Sequence, residues 1–396
     1  MPPRGLILPD EAAQQVREGF PIVELSLVPG AGSAAEPGRP LHLLDSHGGL
    51  LASGIADPEN EVIRVLSRDA VDSFDLAFFR RQVIRAMELR KALGLVDGRS
   101  AYRLLNAEGD YLSGFVADVY GQFVVLYVYS KGLIQLGRIV AQAIAEVAAP
   151  RGIILKVRPR GGPAPGKPRQ EILGEEPPEK LVVEENGVPL EIHLLGGLNV
   201  GLFTDMREHR LGLGRFVKDR RVLNTFAYTG AISVAAARGG AAQVTSVDLS
   251  SGVLKWAREN FRLSGLDPED ARYRFETNDV IRFLKDERTR GVTYDTIVLD
   301  PPTYSAARAA GWSMKNDYPD LIALAAALLP REKTGFLWVS ANVHRSRALL
   351  RHIEEGFARS QREVRLLQLG GLPPDYPTLL EYPEGRYLEV CYLEVR

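Results

Sequence analysis

The sequence predicts an α/β protein. Its C-terminal half should be a doubly wound, mostly parallel sheet with an antiparallel strand near one edge, preceded by two small β-containing units. Three observations carry this expectation. From Arg220 onward, short apolar runs alternate with helical stretches, the pattern of strand–helix–strand crossovers. Acidic residues close three successive strand-like runs, at Asp248, Asp279 and Asp300. The last two runs, 363–369 and 387–395, have no room between them for a crossover helix, which demands antiparallel pairing.

Bulk composition sets limits on this picture. A chain of 396 residues is long enough for two or three domains, each with its own core. Hydrophobic content of 45% and charged content of 25% place it among globular proteins rather than disordered or membrane chains. No apolar run approaches the roughly 20 residues of a membrane span, and Met1-Pro2-Pro3-Arg4 lacks a signal-peptide core, so a cytosolic location is the default. The lone cysteine, Cys391, excludes an internal disulfide framework and any multi-cysteine zinc site, and no metal is expected. A formal net charge of -1 neither announces nor excludes a nucleic-acid partner, because basic residues can gather on one face.

Residues 1–70 read as a β-rich module, with strands at 41–45, 49–54 and 61–66 around the Asp45-Ser46-His47-Gly48-Gly49 turn. Asp72 is the expected cap of a helix whose apolar positions recur from Leu76 to Leu93. Strands at 102–106, 115–119 and 123–128, a helix at 133–147 and a strand at 152–157 make 71–185 a small α+β unit. In the loop 158–170, Arg158, Arg160, Lys167 and Arg169 alternate with Pro and Gly, which suits a solvated loop as well as a phosphate-contacting one. Residues 186–396 hold the doubly wound sheet. Strands are expected at 222–224, 243–247, 272–275, 294–299 and 336–339, and helices at 231–238, 252–263, 280–285, 321–329 and 347–358.

The sheet's first loop, Asn224-Thr225-Phe226-Ala227-Tyr228-Thr229-Gly230, holds one glycine where a dinucleotide fold would want three to admit a pyrophosphate. It suits a ligand without phosphates, packed on aromatic side chains. Asp248 stands where a carboxylate accepts hydrogen bonds from a ribose, Asn278-Asp279 where an adenine amino group lies within reach, and Asp300 closes the fourth strand. Three carboxylates in register also favour a cation such as a sulfonium. S-adenosylmethionine combines ribose, adenine and sulfonium. Each carboxylate taken singly can be read as a helix cap, and for Asp279 the two readings are equal; the set of three in register points to the ligand. After Asp300, Pro301 and Pro302 cannot donate amide hydrogens, so the backbone leaves the sheet abruptly and stiffly.

These residues resemble a known family: class I methyltransferases that modify bases of large-subunit ribosomal RNA and carry an N-terminal PUA domain. The resemblance rests on Gly201-Leu202-Phe203-Thr204-Asp205-Met206-Arg207, the Asn224–Gly230 loop, Ser246-Val247-Asp248 and Asp300-Pro301-Pro302. It extends to Ala101-Tyr102-Arg103-Leu104, Gly114-Phe115-Val116-Ala117-Asp118 and Tyr382-Pro383-Glu384-Gly385-Arg386-Tyr387-Leu388. It implies a PUA-like domain over 1–70, a central α+β domain over 71–185 and a Rossmann-like methyltransferase domain with a mixed seven-stranded sheet over 186–396. It also implies that Asp205, Arg207, Asn224, Phe226, Tyr228, Gly230, Asp248, Asp279 and Asp300 bind S-adenosylmethionine. The implied partner is large-subunit ribosomal RNA or its assembly intermediate, with no membrane and with a homodimer admitted. The PUA-like module departs from its relatives at Gly19-Phe20-Pro21-Ile22, where they tend to show His-Pro-Trp.

The best-known members of the family methylate cytosine C5, a poor nucleophile that a cysteine thiolate must first activate. Their Ser-Cys sequence corresponds to Ser340-Ala341 here, so Ala341 occupies the cysteine's position. Cys391 lies in an alternating run that reads as a buried final strand. Guanine N7 needs no such thiolate, because its in-plane lone pair can attack a methyl sulfonium directly once aligned. The catalytic set is then Asp300, Pro301 and Pro302, with Tyr304 to stack on an extruded base and Ser340, Asn342 or Arg345 to contact its edge. Asp300-Pro301-Pro302-Thr303-Tyr304-Ser305 with Ser340 and Asn342 is also similar to the guanine-N7 domain of a fused ribosomal RNA methyltransferase. The basic cluster His344-Arg345-Ser346-Arg347, with Arg351 and His352, opposes the dipole of the helix it opens, which suits RNA phosphate as well as a solvated face. The readings from other classes are a catalytically silent RNA-binding or assembly factor, a cytosine-C5 enzyme with an atypical site, and a methyltransferase for a free small molecule.

Overall fold

The computed structural model describes residues 4–28, 36–159, 170–302, 304–305, 312–343 and 348–396, with backbone alone for 304–305 and 312–315. It divides into two compact units. One comprises Met1–Val183, Ile192–Val200 and Pro374–Gly385; the other comprises Glu184–Glu191, Gly201–Pro373 and Arg386–Arg396.

The first unit opens with β1 (Arg4–Ile7), α1 (Asp10–Glu18), β2 (Ile22–Glu24), β3 (Pro40–Leu44), β4 (Leu50–Asp57) and β5 (Val62–Ser67), whose strands form one sheet in the order β1-β3-β4-β5-β2. Next come α2 (Leu76–Ala92), β6 (Ala101–Asn106), β7 (Phe115–Tyr120), β8 (Phe123–Val128), α3 (Ile134–Ala148), β9 (Gly152–Val157) and β10 (Gln170–Gly174), with a second sheet in the order β10-β9-β8-β7-β6. The short β1, β2 and β10 and the helix α1 carry no sequence signal strong enough to have been expected. The cap of α2 is Asp75, whose Oδ1 accepts from the Phe78 amide at 2.9 Å, and not Asp72, whose carboxylate lies 3.5 Å from His42 Nε2. Ile55 and Leu66 of the first sheet share one apolar cluster with Phe78, Phe79 and Phe115, so the core runs without a break past residue 70.

Residues 374–385 are built into this unit by polar anchors. The guanidinium of Arg90, fully buried, holds both oxygens of Asp110 at 2.6 and 2.8 Å and donates to the Asp375 carbonyl at 2.7 Å. Asn106 donates to the Pro377 carbonyl at 2.9 Å, and the Arg103 guanidinium lies over the Tyr376 ring at 4.2 Å. A buried guanidinium with this many acceptors is a fixed point, because removing any of them leaves desolvated charge unmatched.

After a hairpin of β11 (Leu181–Glu185) and β12 (Val188–Ile192) and the helix α4 (Arg207–Leu213), the doubly wound region begins. Its elements are β13 (Arg221–Thr225), α5 (Ala231–Arg238), β14 (Gln243–Asp248), α6 (Ser251–Leu263), β15 (Tyr273–Thr277), α7 (Val280–Thr289) and β16 (Thr296–Leu299). They continue with β17 (Tyr304–Ser305), β18 (Trp312–Ser313), α8 (Met314–Ala327), β19 (Gly335–Asn342), α9 (Ala348–Ser360), β20 (Val364–Gly370) and β21 (Leu388–Val395). One seven-stranded sheet runs β15-β14-β13-β16-β19-β21-β20, with β21 antiparallel to both of its neighbours. Alternate residues feed two apolar clusters, Leu223, Ile297, Leu299 and Val339 on one face and Val222, Val298, Trp338 and Tyr392 on the other. Burial on both faces is why these strands read as continuous apolar runs.

Close packing inside the first unit is testable. A Cβ added at Gly109 would lie 1.7 Å from the Pro377 carbonyl oxygen, whereas nothing lies within 4 Å of one added at Gly214, whose φ of -51° suits alanine. Thermal melts should show Gly109→Ala destabilised by about 1–3 kcal/mol. Gly214→Ala should be neutral or stabilised by up to about 1 kcal/mol. Equal losses in both variants would contradict this packing.

Candidate active site

Chain order reverses between β13 and β16. From β13 the chain builds outward through β14 and β15, then returns to the opposite side for β16 and β19. The crevice at the carboxyl ends of β13 and β16 is where open α/β sheets place ligands.

The β13–α5 loop is held in a strained shape. Phe226 (φ 53°), Tyr228 (φ 48°) and Gly230 (φ 77°) alternate in the left-handed region, which aromatic residues seldom occupy. Asp248 supports the turn: its Oδ2 accepts from the Tyr228 amide and its Oδ1 from the Ser250 amide, both at 2.9 Å. Thr229 Oγ1 donates to the Gly201 carbonyl at 2.6 Å, which ties the loop to the 201–207 segment. Only glycine fits at 230, because an added Cβ would lie 2.7 Å from Ala257 Cβ on α6. The result is an aromatic shelf. The Tyr228 ring lies 5.5 Å from Phe203 and 6.5 Å from Trp256, and Phe203 keeps 46% of its surface exposed. Burial pushes the Tyr228 phenol up to about 12, so it stays protonated.

Across the switch point stands the acidic side. Asp300 Oδ1 accepts from Ser340 Oγ at 2.5 Å, and Tyr318 Oη donates to the Ser340 carbonyl at 2.6 Å. Asp205 Oδ2 accepts from Tyr387 Oη at 2.9 Å. Arg210 pairs with Glu185 at 2.5 and 2.6 Å and donates to the Phe203 carbonyl at 2.7 Å. Burial raises the Asp300 carboxyl above its ordinary value; the Ser340 hydroxyl opposes this, the Asp205 charge adds to it, and Arg210 opposes it more weakly. The field at Asp300 is therefore acidic on balance. A cationic ligand atom would relieve it, and an aromatic shelf beside a carboxylate-supported turn accepts a nucleoside. These residues fit S-adenosylmethionine.

The structure gathers most of the expected residues here and reassigns several. Asp205, Phe226, Tyr228, Gly230, Asp248 and Asp300 stand on the 201–207 segment or at adjacent strand ends. Asn224 is fully buried, and its Nδ2 donates to Ser233 Oγ at 2.9 Å, tying β13 to α5. Arg207 is buried, its Nε 3.3 Å from Glu208. Asp279 caps α7, accepting from the Arg282 amide at 3.0 Å. Pro301 is buried and Pro302 exposed. Asn342 ends β19 exposed, and Ala341 is buried beside it. The Tyr304 backbone pairs with Ser313 in the β17–β18 hairpin. Residues 344–347, including Arg345, and 160–169, including Arg160, Lys167 and Arg169, lie outside the described residues. Cys391 is fully enclosed in the core, and burial pushes its thiol up to about 12. Sequence reasoning missed Phe203, Glu185, Arg210, Tyr318 and Tyr387 as site residues. Phe203 and Tyr387 lay inside runs already singled out, but nothing local marked the other three.

With this geometry in place, likeness to known proteins is informative. Residues 119–377 match the S-adenosylmethionine-dependent methyltransferase family. The "Ribosomal RNA large subunit methyltransferase I" of Tolumonas auensis is 33% identical over 360 residues, spanning 89% of this chain and 90% of the relative. That of Photobacterium profundum is 30% identical over 371 residues, 92% of each. Among solved structures, a methyltransferase complexed with S-adenosylhomocysteine superposes with a TM-score of 0.89 at 27% identity, over 99% of this chain and 100% of that one. A SAM-dependent methyltransferase from Streptococcus mutans gives 0.86 at 27% identity, over the same shares.

The raised Asp300 carboxyl has a signed consequence. A carboxyl whose folded-state value exceeds its unfolded one, ordinarily 3.8, contributes stability at pH below that value and loses it as pH rises through the folded one. Wild type should therefore lose ground relative to Asp300→Asn as the pH rises above the ordinary carboxyl value of 3.8. Chemical unfolding across that range measures the gap, and a gap independent of pH would contradict the electrostatics described.

Proposed function

Because the chain belongs to the S-adenosylmethionine-dependent methyltransferase family, we propose that it methylates a base of large-subunit ribosomal RNA by direct transfer, with guanine N7 the favoured acceptor. The substrate class is supported by what the relatives named above act on, together with alignment along nearly the whole chain. The five-stranded sheet over residues 4–67 is read as the PUA-like RNA-binding module, and the α2–β10 region as the central domain.

The observation that carries the acceptor reading is the absence of an accessible thiol. By the resemblance, Ala341 corresponds to the cysteine nucleophile of the family's best-known members, and Cys391 is sealed in the core. Cytosine C5 requires covalent activation, whereas a ring nitrogen with its own lone pair requires placement. When bound, S-adenosylmethionine supplies an electrophilic methyl group on a cationic sulfur. Asp248 and the Phe226–Gly230 turn would hold the nucleoside part, and Asp205 and Asp300 would offset the positive charge. Ser340 fixes the Asp300 carboxylate, while Pro301 keeps the chain stiff as it leaves the sheet. Asn342 and Tyr304 are assigned to the base.

Deleting the gene and mapping base modifications on ribosomal RNA tests the acceptor: loss of a 7-methylguanosine is expected, and loss of a 5-methylcytosine alone would defeat the assignment. Asp300→Ala should fold normally and lose methyl transfer by at least about a hundredfold. Full activity in that variant would remove Asp300 from the mechanism. The silent-factor reading draws on the same missing thiol, and calorimetric titration separates it, since it requires no binding of S-adenosylmethionine at millimolar concentration. The homodimer reading is supported by β20, which exposes Leu366, Leu367 and Leu369 on a strand that, among the described residues, pairs with β21 alone.

A further inference from the structure

We propose that Tyr387 is a positioning residue that sets the orientation of Asp205 and thereby the affinity for the methyl donor. This rests on the reading of Asp205 as part of the donor site.

Tyr387 immediately precedes β21, and its location is fixed by the register of that strand. Leu388 pairs with Asn342, Glu389 with Ala341 and Val390 with Ser340, so the start of β21 lies against the end of β19 that carries the acceptor-side residues. The Val343 amide extends the ladder by one bond, donating to the Tyr387 carbonyl at 2.5 Å. The ring packs against the apolar cluster of Trp338 and Tyr392, which limits its rotamers. From that fixed base the phenol donates to Asp205 Oδ2 at 2.9 Å. Tyr387 therefore ties, through its main chain, the segment after Ser340 and Asn342 and, through its side chain, the turn that carries Asp205.

The orientation of Asp205 matters because its charge is felt by its neighbours. It raises the Asp300 carboxyl and adds to the elevation of Arg210. Asp205 sits in a single turn, Thr204–Met206, between the shelf residue Phe203 and α4. An aspartate carboxylate turns about χ1 and χ2, and the Arg210 guanidinium is near enough to feel its charge. The phenol selects one direction. A hydrogen bond to a carboxylate is among the stronger kind, enough to fix a rotamer that would otherwise be shared between partners.

The test is a double-mutant cycle read by calorimetric titration of S-adenosylmethionine into the full chain. Tyr387→Phe removes one oxygen and keeps the ring packing. It should raise the donor dissociation constant about tenfold, with a melting temperature within about 2 °C of wild type. Asp205→Asn should raise the constant by at least as much. In the Asp205→Asn background, adding Tyr387→Phe should change it less than about twofold. Additive effects, or an unchanged dissociation constant in Tyr387→Phe while Asp205→Asn is impaired, would overturn the proposal and leave the donor site standing. Unimpaired binding in Asp205→Asn would sink the placement of Asp205 in the donor site, and the proposal with it.

Discussion

The parallel register of β13, β16 and β19 is the constraint on which the rest depends. Thr225 lies opposite Leu299, and Leu299 opposite Val339. The next residues, Phe226, Asp300 and Ser340, therefore stand level: β13 and β16 have just ended, and Ser340, still within β19, meets Asp300. Side chains on a strand alternate faces, so slipping β16 by one residue would point Asp300 to the wrong side and bury an unpaired carboxylate. The apolar clusters on both faces, Leu223 and Ile297 on one and Val222 and Val298 on the other, make such a slip prohibitive. The core fixes the site.

Against that rigid frame the site itself is assembled at a cost. Two non-glycine residues of the first loop hold left-handed backbone angles, and Asp300 is carried into low dielectric with a serine hydroxyl as its direct partner. Both features would weaken a protein selected only for stability. They are tolerated because neighbouring groups over-determine them: Asp248 gathers two amides of the loops beside it, and Tyr318 fixes the backbone carrying Ser340. Strain and desolvation fall together where a cationic nucleoside would be gripped.

Much of this was legible in the residues. The helix 231–238 was placed to the residue, and the antiparallel pairing expected of the last two strands holds between β20 and β21. The row of carboxylates singled out Asp248 and Asp300 because strand ends in such sheets face the ligand. Other elements escaped. The first strand is four residues long and the first helix follows a proline, so neither builds a periodic pattern. Asn224, read from the sequence as part of the loop, lies within β13, fully buried and bonded to Ser233. Asp279 carries the cap that its place before a helix always allowed.

The sequence by itself determined the fold class, the strand-end carboxylates and the absence of a cysteine beside Ser340, because periodicity, composition and residue identity are local properties. Only the tertiary structure decided which hydroxyl holds which carboxylate. Ser340 reaches Asp300 across 40 residues, and Tyr387 reaches Asp205 across 182. Such pairings follow from sheet register and packing, which no stretch of sequence shorter than the domain can express.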